Sequence, residues 1–161
     1  MATYTDSLGF NKGTAAAYVD SGLHKVTVLE VTLDFAAITV ARAAAGATAL
    51  ASADVLEVLR IPAKTQVLNV GLDVTTAEGG TLTIDVGDGA DADGYLDGVN
   101  ANTAAGYSSS TVTLVEGAPN TLSPAFGFGK YYSAADTIDV TIVNAADVAV
   151  MRLWAIVVDC N

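Results

Sequence analysis

Cysteine is almost missing from this 161-residue chain: Cys160 is the only one, so no disulfide can form within the chain. A small disulfide-built scaffold is therefore excluded, and stability must come from core burial or from assembly. Basic residues are nearly as scarce. Seven Lys and Arg face eighteen Asp and Glu, giving a formal net charge of −11. The seven are Lys12, Lys25, Arg42, Arg60, Lys64, Lys130 and Arg152, each standing alone along the chain. Phosphate binding needs clustered cations, so a nucleic-acid partner is not expected. Histidine is reduced to His24, which leaves neither a Ser-His-Asp triad with a Gly-x-Ser-x-Gly elbow nor a Cys/His zinc site to be built. Aromatics are few, with Trp154 the only tryptophan, which argues against the aromatic-lined groove of a glycoside hydrolase despite the abundant carboxylates. No apolar run approaches the roughly 18 residues of a membrane span, and MATYTDSLGFNKG has neither the basic start nor the apolar centre of a secretory signal. The expectation is a non-enzymatic protein made in the cytoplasm, with no membrane partner and no cofactor.

What is abundant is alternation. Residues 1–24 are polar and weakly periodic and read as an extended N-terminal arm; residues 25–161 read as one β-rich domain. In KVTVLEVTLDF, Val26, Val28, Glu30, Thr32 and Asp34 alternate with Thr27, Leu29, Val31, Leu33 and Phe35, and the second, more apolar set predicts a buried face. Ile38–Arg42 continue or restart that strand, and AAAGATALASA (43–53) suits a short helical turn or a loop equally. Further strands are expected at 55–61, ending at Pro62, and at 65–76, 81–87, 111–115, 137–143 and 148–158. Turn signals AEGG (77–80), EGAPN (116–120) and NAAD (144–147) separate them. The fold class is all-β: an antiparallel β-sandwich, jelly-roll-like because of the irregular spacing and an apparent insertion over 88–110. The last strand is apolar on both faces except at Arg152, so it is either central or covered by a loop or a neighbouring subunit.

Chemistry has one conspicuous candidate, DVGDGADADGYLDG (85–98), with five aspartates among four glycines. An EF-hand register that puts Asp91, Asp93 and Gly94 at loop positions 3, 5 and 6 leaves Gly89 and Asn100 at the two anchors, which need acids. Gly87-Asp88-Gly89-Ala90-Asp91 resembles one turn of a calcium-binding nonapeptide array, but only one copy is present. The plainer expectation is a glycine-permitted, solvated turn whose Asp side chains cap backbone N–H groups, with a structural cation as the rival. Tyr107, Tyr131, Tyr132, Phe126 and Phe128 are expected to plug the ends of the sandwich or, less simply, to form a binding surface. No catalytic, cofactor or metal residue is assigned.

The phrases ADVLEVLRIPA, V-x-x-V-G-L-D-V-T-T and DVGDG-x-D-x-D-G-Y-L-D-G carry a resemblance across most of residues 28–158. The chain resembles the small jelly-roll capsid cement, or decoration, proteins of tailed bacteriophages. The resemblance implies a virion structural protein on the outer capsid surface. It further implies a homotrimer at local three-fold positions that clamps neighbouring major capsid protein subunits, with no catalytic residue and no cofactor. A tail- or fibre-associated module that binds the host surface, with its tips at 88–110 and 121–134, is the competing expectation.

Overall fold

Period-two alternation builds nearly everything in the fold. A computed structural model describes residues 25–102, the backbone of 106–109, residue 126 and residues 129–160. The expected arm (1–24), the strand at 111–115, His24 and Phe128 lie outside the described residues. In chain order the elements are β1 (Val26–Asp34), α1 (Phe35–Ala44), β2 (Val55–Ile61), β3 (Thr65–Thr76), β4 (Thr83–Asp88) and β5 (Asp91–Asn100). They are followed by β6 (Gly106–Ser109), β7 (Lys130–Tyr132), β8 (Asp136–Ile142) and β9 (Val150–Asp159).

The pairing is nested and antiparallel throughout: β4 with β5, β3 with β6 and β7, β2 with β8, and β1 with β9. This is one long hairpin with its tip at the β4–β5 turn. Rolled up, it yields two sheets, β1-β9-β3-β6 with β7 also on β3, and β2-β8-β4-β5. Successive strands from β1 to β4 alternate between the sheets, as in a jelly roll. The expected sandwich is therefore present, without the expected insertion. Residues 88–100 are no insertion, since they complete β4 and form β5.

The core lies between the sheets. Leu33, Val67, Val70, Leu72, Val74, Met151, Leu153 and Ala155 come from the first, and Leu59, Ile61, Ile84, Val86, Ile138, Val140 and Ile142 from the second, all buried. β1 turns the predicted set inward, with Leu33 buried and Val26 and Val28 well exposed. In β3 the inward parity switches from Thr65 and Val67 to Val70, Leu72 and Val74 because a register shift between Val67 and Asn69 inserts one residue. That bulge leaves Leu68 facing out. β9 is central, paired with β1 on one side and β3 on the other, which accounts for its two apolar faces.

One expectation is corrected here. Ile38–Arg42 do not extend β1 but belong to α1. Asp34 sits in extended conformation (φ −105°, ψ 101°) and its carboxylate accepts the amide N–H of Ala37 at 3.0 Å, an N-cap that turns the chain into an alanine-rich helix. Phe35, fully buried, anchors the first turn to the core, so tertiary burial overrides the β-branched preference of Ile38, Thr39 and Val40.

Candidate functional site

The aspartate-rich stretch occupies the tip of the rolled hairpin, and Asp88 is its centre. Asp88 ends β4 and is only 3% exposed. One carboxylate oxygen accepts the amides of Ala90 (2.9 Å) and Asp91 (3.3 Å), which closes the turn as the sequence suggests. The other oxygen accepts the hydroxyl of Tyr132 at 2.7 Å and the Lys130 ammonium. The Tyr132 hydroxyl in turn lies 2.9 Å from that of Tyr95. Because Tyr132 donates to Asp88, Tyr95 donates to Tyr132, and the three form a polarised chain into the carboxylate.

Lys130 closes the cluster from the solvent side. Its ammonium stands 4.2 Å from the centroid of the Phe126 ring and 5.0 Å from that of Tyr132, two cation–π contacts around one ion pair. Phe126 meets Tyr95 edge-on, with centroids 5.0 Å apart and planes at 61°. Gly94 makes this stacking geometrically possible, because a Cβ there would lie 2.2 Å from the Phe126 ring. The cluster joins β4 and β5 of one sheet to β7 of the other, so it pins the two sheets together at this end.

Burial alone would raise the Asp88 carboxyl, but the hydrogen bonds from Lys130, Tyr132 and Ala90 outweigh it and hold the group below the usual carboxylate range. Burial pushes both tyrosines well above the ordinary phenol value. With four donors already on its two oxygens, Asp88 has no acceptor capacity left for a cation or for a substrate proton.

The remaining aspartates are scattered around the hairpin rather than converging. Asp85 accepts the amide of Gly98 at 2.8 Å, and burial raises its carboxyl against that bond. Asp93 is raised by a hydrogen bond shared with Asp91, then by slight burial and the Asp91 charge. On β8, Asp139 lies directly across from Glu57 of β2, and its carboxyl is raised by burial and by the charges of Glu57, Asp136 and Asp88. A depression of about 360 Å³ lies between Asp88–Ala92 of the turn and Asp139 and Thr141 of β8. Among the described residues no three His, Cys, Asp or Glu side chains are placed to hold one metal ion. The solvated-turn expectation is thus half corrected: the stretch is a strand hairpin, and its central aspartate is buried.

Other singled-out residues fall elsewhere. Tyr132 and Phe126 plug the end of the sandwich as expected, while Tyr131 is exposed. Cys160 is half-buried, its thiol 3.5 Å from the Val158 carbonyl. Trp154 lies on the outer face of the first sheet, on the far side of that sheet from the core. Lys130 and Glu78 carry no local signal in the sequence, and only the fold brings them to their partners. Glu78 uses its carboxylate to accept the amides of Asp147 (2.8 Å), Val148 (3.1 Å) and Ala149 (2.8 Å), tying the β8–β9 turn to the β3–β4 turn.

No family model matches the chain, and no curated protein matches it. Solved structures do. A chain of the cyanophage Pam1 capsid asymmetric unit is similar at 19% identity and TM-score 0.53, over 84% of this chain and 85% of that one. A chain in the capsid of Ralstonia phage GP4 is similar at 18% identity and TM-score 0.53, over 88% and 87%. At such identity these likenesses establish the fold.

Proposed function

We propose that the protein is a non-enzymatic virion structural protein: a capsid cement protein that binds the outer surface of the major capsid shell as a homotrimer and stabilises it. The observation that carries the reading is the likeness to chains from two phage capsid structures, which spans more than four-fifths of both partners in each case. The cluster around Asp88 supports it. Its charged and hydroxyl groups are engaged in joining the two sheets rather than turned towards a substrate. Residues 1–24 are the proposed attachment arm, able to lie along a neighbouring subunit, and residues 25–161 the proposed sandwich domain. Many such contacts on one lattice add as avidity.

Immunogold labelling of intact virions tests the reading. Gold over the heads is expected. Label confined to the tail would refute the cement role and favour a tail- or fibre-associated, host-binding module. A chain missing residues 1–24 that still binds heads at undiminished occupancy would refute the role of the arm.

A further inference from the structure

The depression beside the hairpin tip lies on the outer face of the second sheet. There β8 turns Thr137, Asp139 and Thr141 outward, while Ile138, Val140 and Ile142 enter the core. Asp139 is only 7% exposed, yet it has a single hydrogen bond, from the Thr137 hydroxyl to one oxygen at 2.7 Å. Among the described residues nothing donates to its other oxygen. A buried carboxylate is costly unless it is fully partnered, so a half-engaged one calls for a donor or a cation.

The protein supplies no cation here. Lys130 is committed to Asp88 and to the Phe126 and Tyr132 rings. Arg60, across from Thr137 on β2, forms no ion pair among the described residues. What surrounds Asp139 instead is oxygen. Its partner on β4 is Gly87, where a Cβ would fall 1.9 Å from the backbone carbonyl oxygen of Asp91 and 2.7 Å from that of Ala92. Two carbonyl oxygens therefore crowd the surface of Gly87, on the strand beside Asp139. The independent sign is Thr141, which also lines the depression. Its hydroxyl oxygen is buried and has no hydrogen-bond partner. Glu57 stands directly across from Asp139 on β2, at the roughly 5 Å Cβ spacing of opposed strand residues. Burial and the charges of Glu57, Asp136 and Asp88 raise the Asp139 carboxyl, a repulsion that a bound cation relieves.

We infer that this depression binds one divalent cation of the calcium class, held by the free oxygen of Asp139, the Thr141 hydroxyl and the carbonyls of Asp91 and Ala92, with Glu57 closing over it from β2. All are hard oxygen donors, and Ca²⁺ takes six to eight of these in irregular shells that water completes. The depression, about 360 Å³, has room for the ion and several waters. Only two carboxylates take part, in keeping with the absence, among the described residues, of any three acidic, His or Cys side chains around one point. So few charges put the affinity in the weak range, about 0.1–1 mM. Asp88, saturated with donors, is not a ligand. No capsid contact enters the inference, so it stands or falls apart from the proposed function.

Calcium chloride titrated into the full-length chain at pH 7, against sodium chloride of equal ionic strength, tests the site by calorimetry and by Tm. Saturable binding of one ion per chain is expected, with Tm raised by roughly 3–10 °C at about 10 mM calcium. Asp139→Asn keeps the shape and should weaken binding at least tenfold. Thr141→Val should weaken it at least threefold. Asp147→Asn, at an exposed acid in the β8–β9 turn, should leave it unchanged. The inference is overturned if calcium gives no saturable heat and raises Tm no more than sodium does, or if binding survives Asp139→Asn undiminished. Equal weakening by Asp147→Asn would mean diffuse screening of the −11 charge and would overturn it as well. Should Asp139→Asn fail to fold, undiminished binding by Thr141→Val is the refuting result.

Discussion

Replacing Asp88 with asparagine keeps its size and removes its charge. The remaining carbonyl oxygen can still accept from Ala90 and Asp91, but as a neutral acceptor, and the amide nitrogen now faces the Lys130 ammonium and the Tyr132 hydroxyl. Removing one partner of a buried pair costs about 3–5 kcal/mol when the other charge stays trapped. Here the Lys130 side chain is 24% exposed and can turn partly to water, which reduces the loss. The expected destabilisation is therefore about 2–4 kcal/mol, with a fall in Tm of roughly 4–16 °C for a chain of this size. Urea titration at pH 7 and fixed protomer concentration, followed by Trp154 emission, measures it. The companion Lys130→Met places an apolar chain between the Phe126 and Tyr132 rings. The double variant should lose at least about 1 kcal/mol less than the two single losses combined, because neither charge is then left alone. A loss below about 1 kcal/mol for Asp88→Asn, or additivity within about 0.5 kcal/mol, would refute the view that this cluster clamps the sheets.

Acidity should act in two opposite steps. Asp85, Asp93 and Asp139 have raised carboxyls, so the folded state binds protons more readily than the unfolded one and stability should rise as the pH falls from neutrality towards about 4.5. Asp88 is lowered, so its contribution, present above its unfolded value of about 3.9, should be lost as the pH drops further. A urea midpoint that falls steadily from pH 7 to 5 would contradict this. Glu78→Gln leaves at most two acceptor sites on one oxygen for three turn amides and turns a charged acceptor into a neutral one. The expected cost is about 1–3 kcal/mol, with faster hydrogen exchange at Asp147–Ala149. Gly71→Val must displace the Trp154 ring, so its emission should change together with a loss of about 1–3 kcal/mol. An unchanged emission spectrum would place the ring elsewhere.

The strands legible in the sequence were those whose pattern is local. β2 and β3 have the bounds that alternation and Pro62 indicate, and the inward set of β1 is the one its apolar residues name. At the hairpin tip β4 was legible, expected over 81–87 and found over Thr83–Asp88, but β5 was not, because it is written in Asp and Gly, which β-structure generally avoids. Its pairing is imposed by the nesting of β3, β2 and β1 outside it, a non-local cause that no window of residues contains. The site followed the same rule. That Asp88 caps a turn could be read from its neighbours, whereas Lys130 and Tyr132, more than forty residues away, reach it only through the fold. The short strands β6 and β7 and the helix were also missed, and for the helix the signal was present: Asp34 stands three residues before the amide it caps.

Eighteen acids in a chain with seven bases still leave this molecule a direction. Several acids are engaged inside the fold, with Asp34 capping α1, Asp54 accepting from Ala51 and Arg42, Glu78 holding a turn and Asp88 joining the sheets. Those with raised carboxyls, Asp85, Asp93 and Asp139, cluster around the second sheet and its hairpin, where folding works against their ionisation. Holding Glu57 across from Asp139 is unfavourable for the isolated chain, since like charges directly opposite destabilise a strand pair. Part of that cost is relieved by the raised Asp139 carboxyl, which takes up a proton more readily than a free carboxylate.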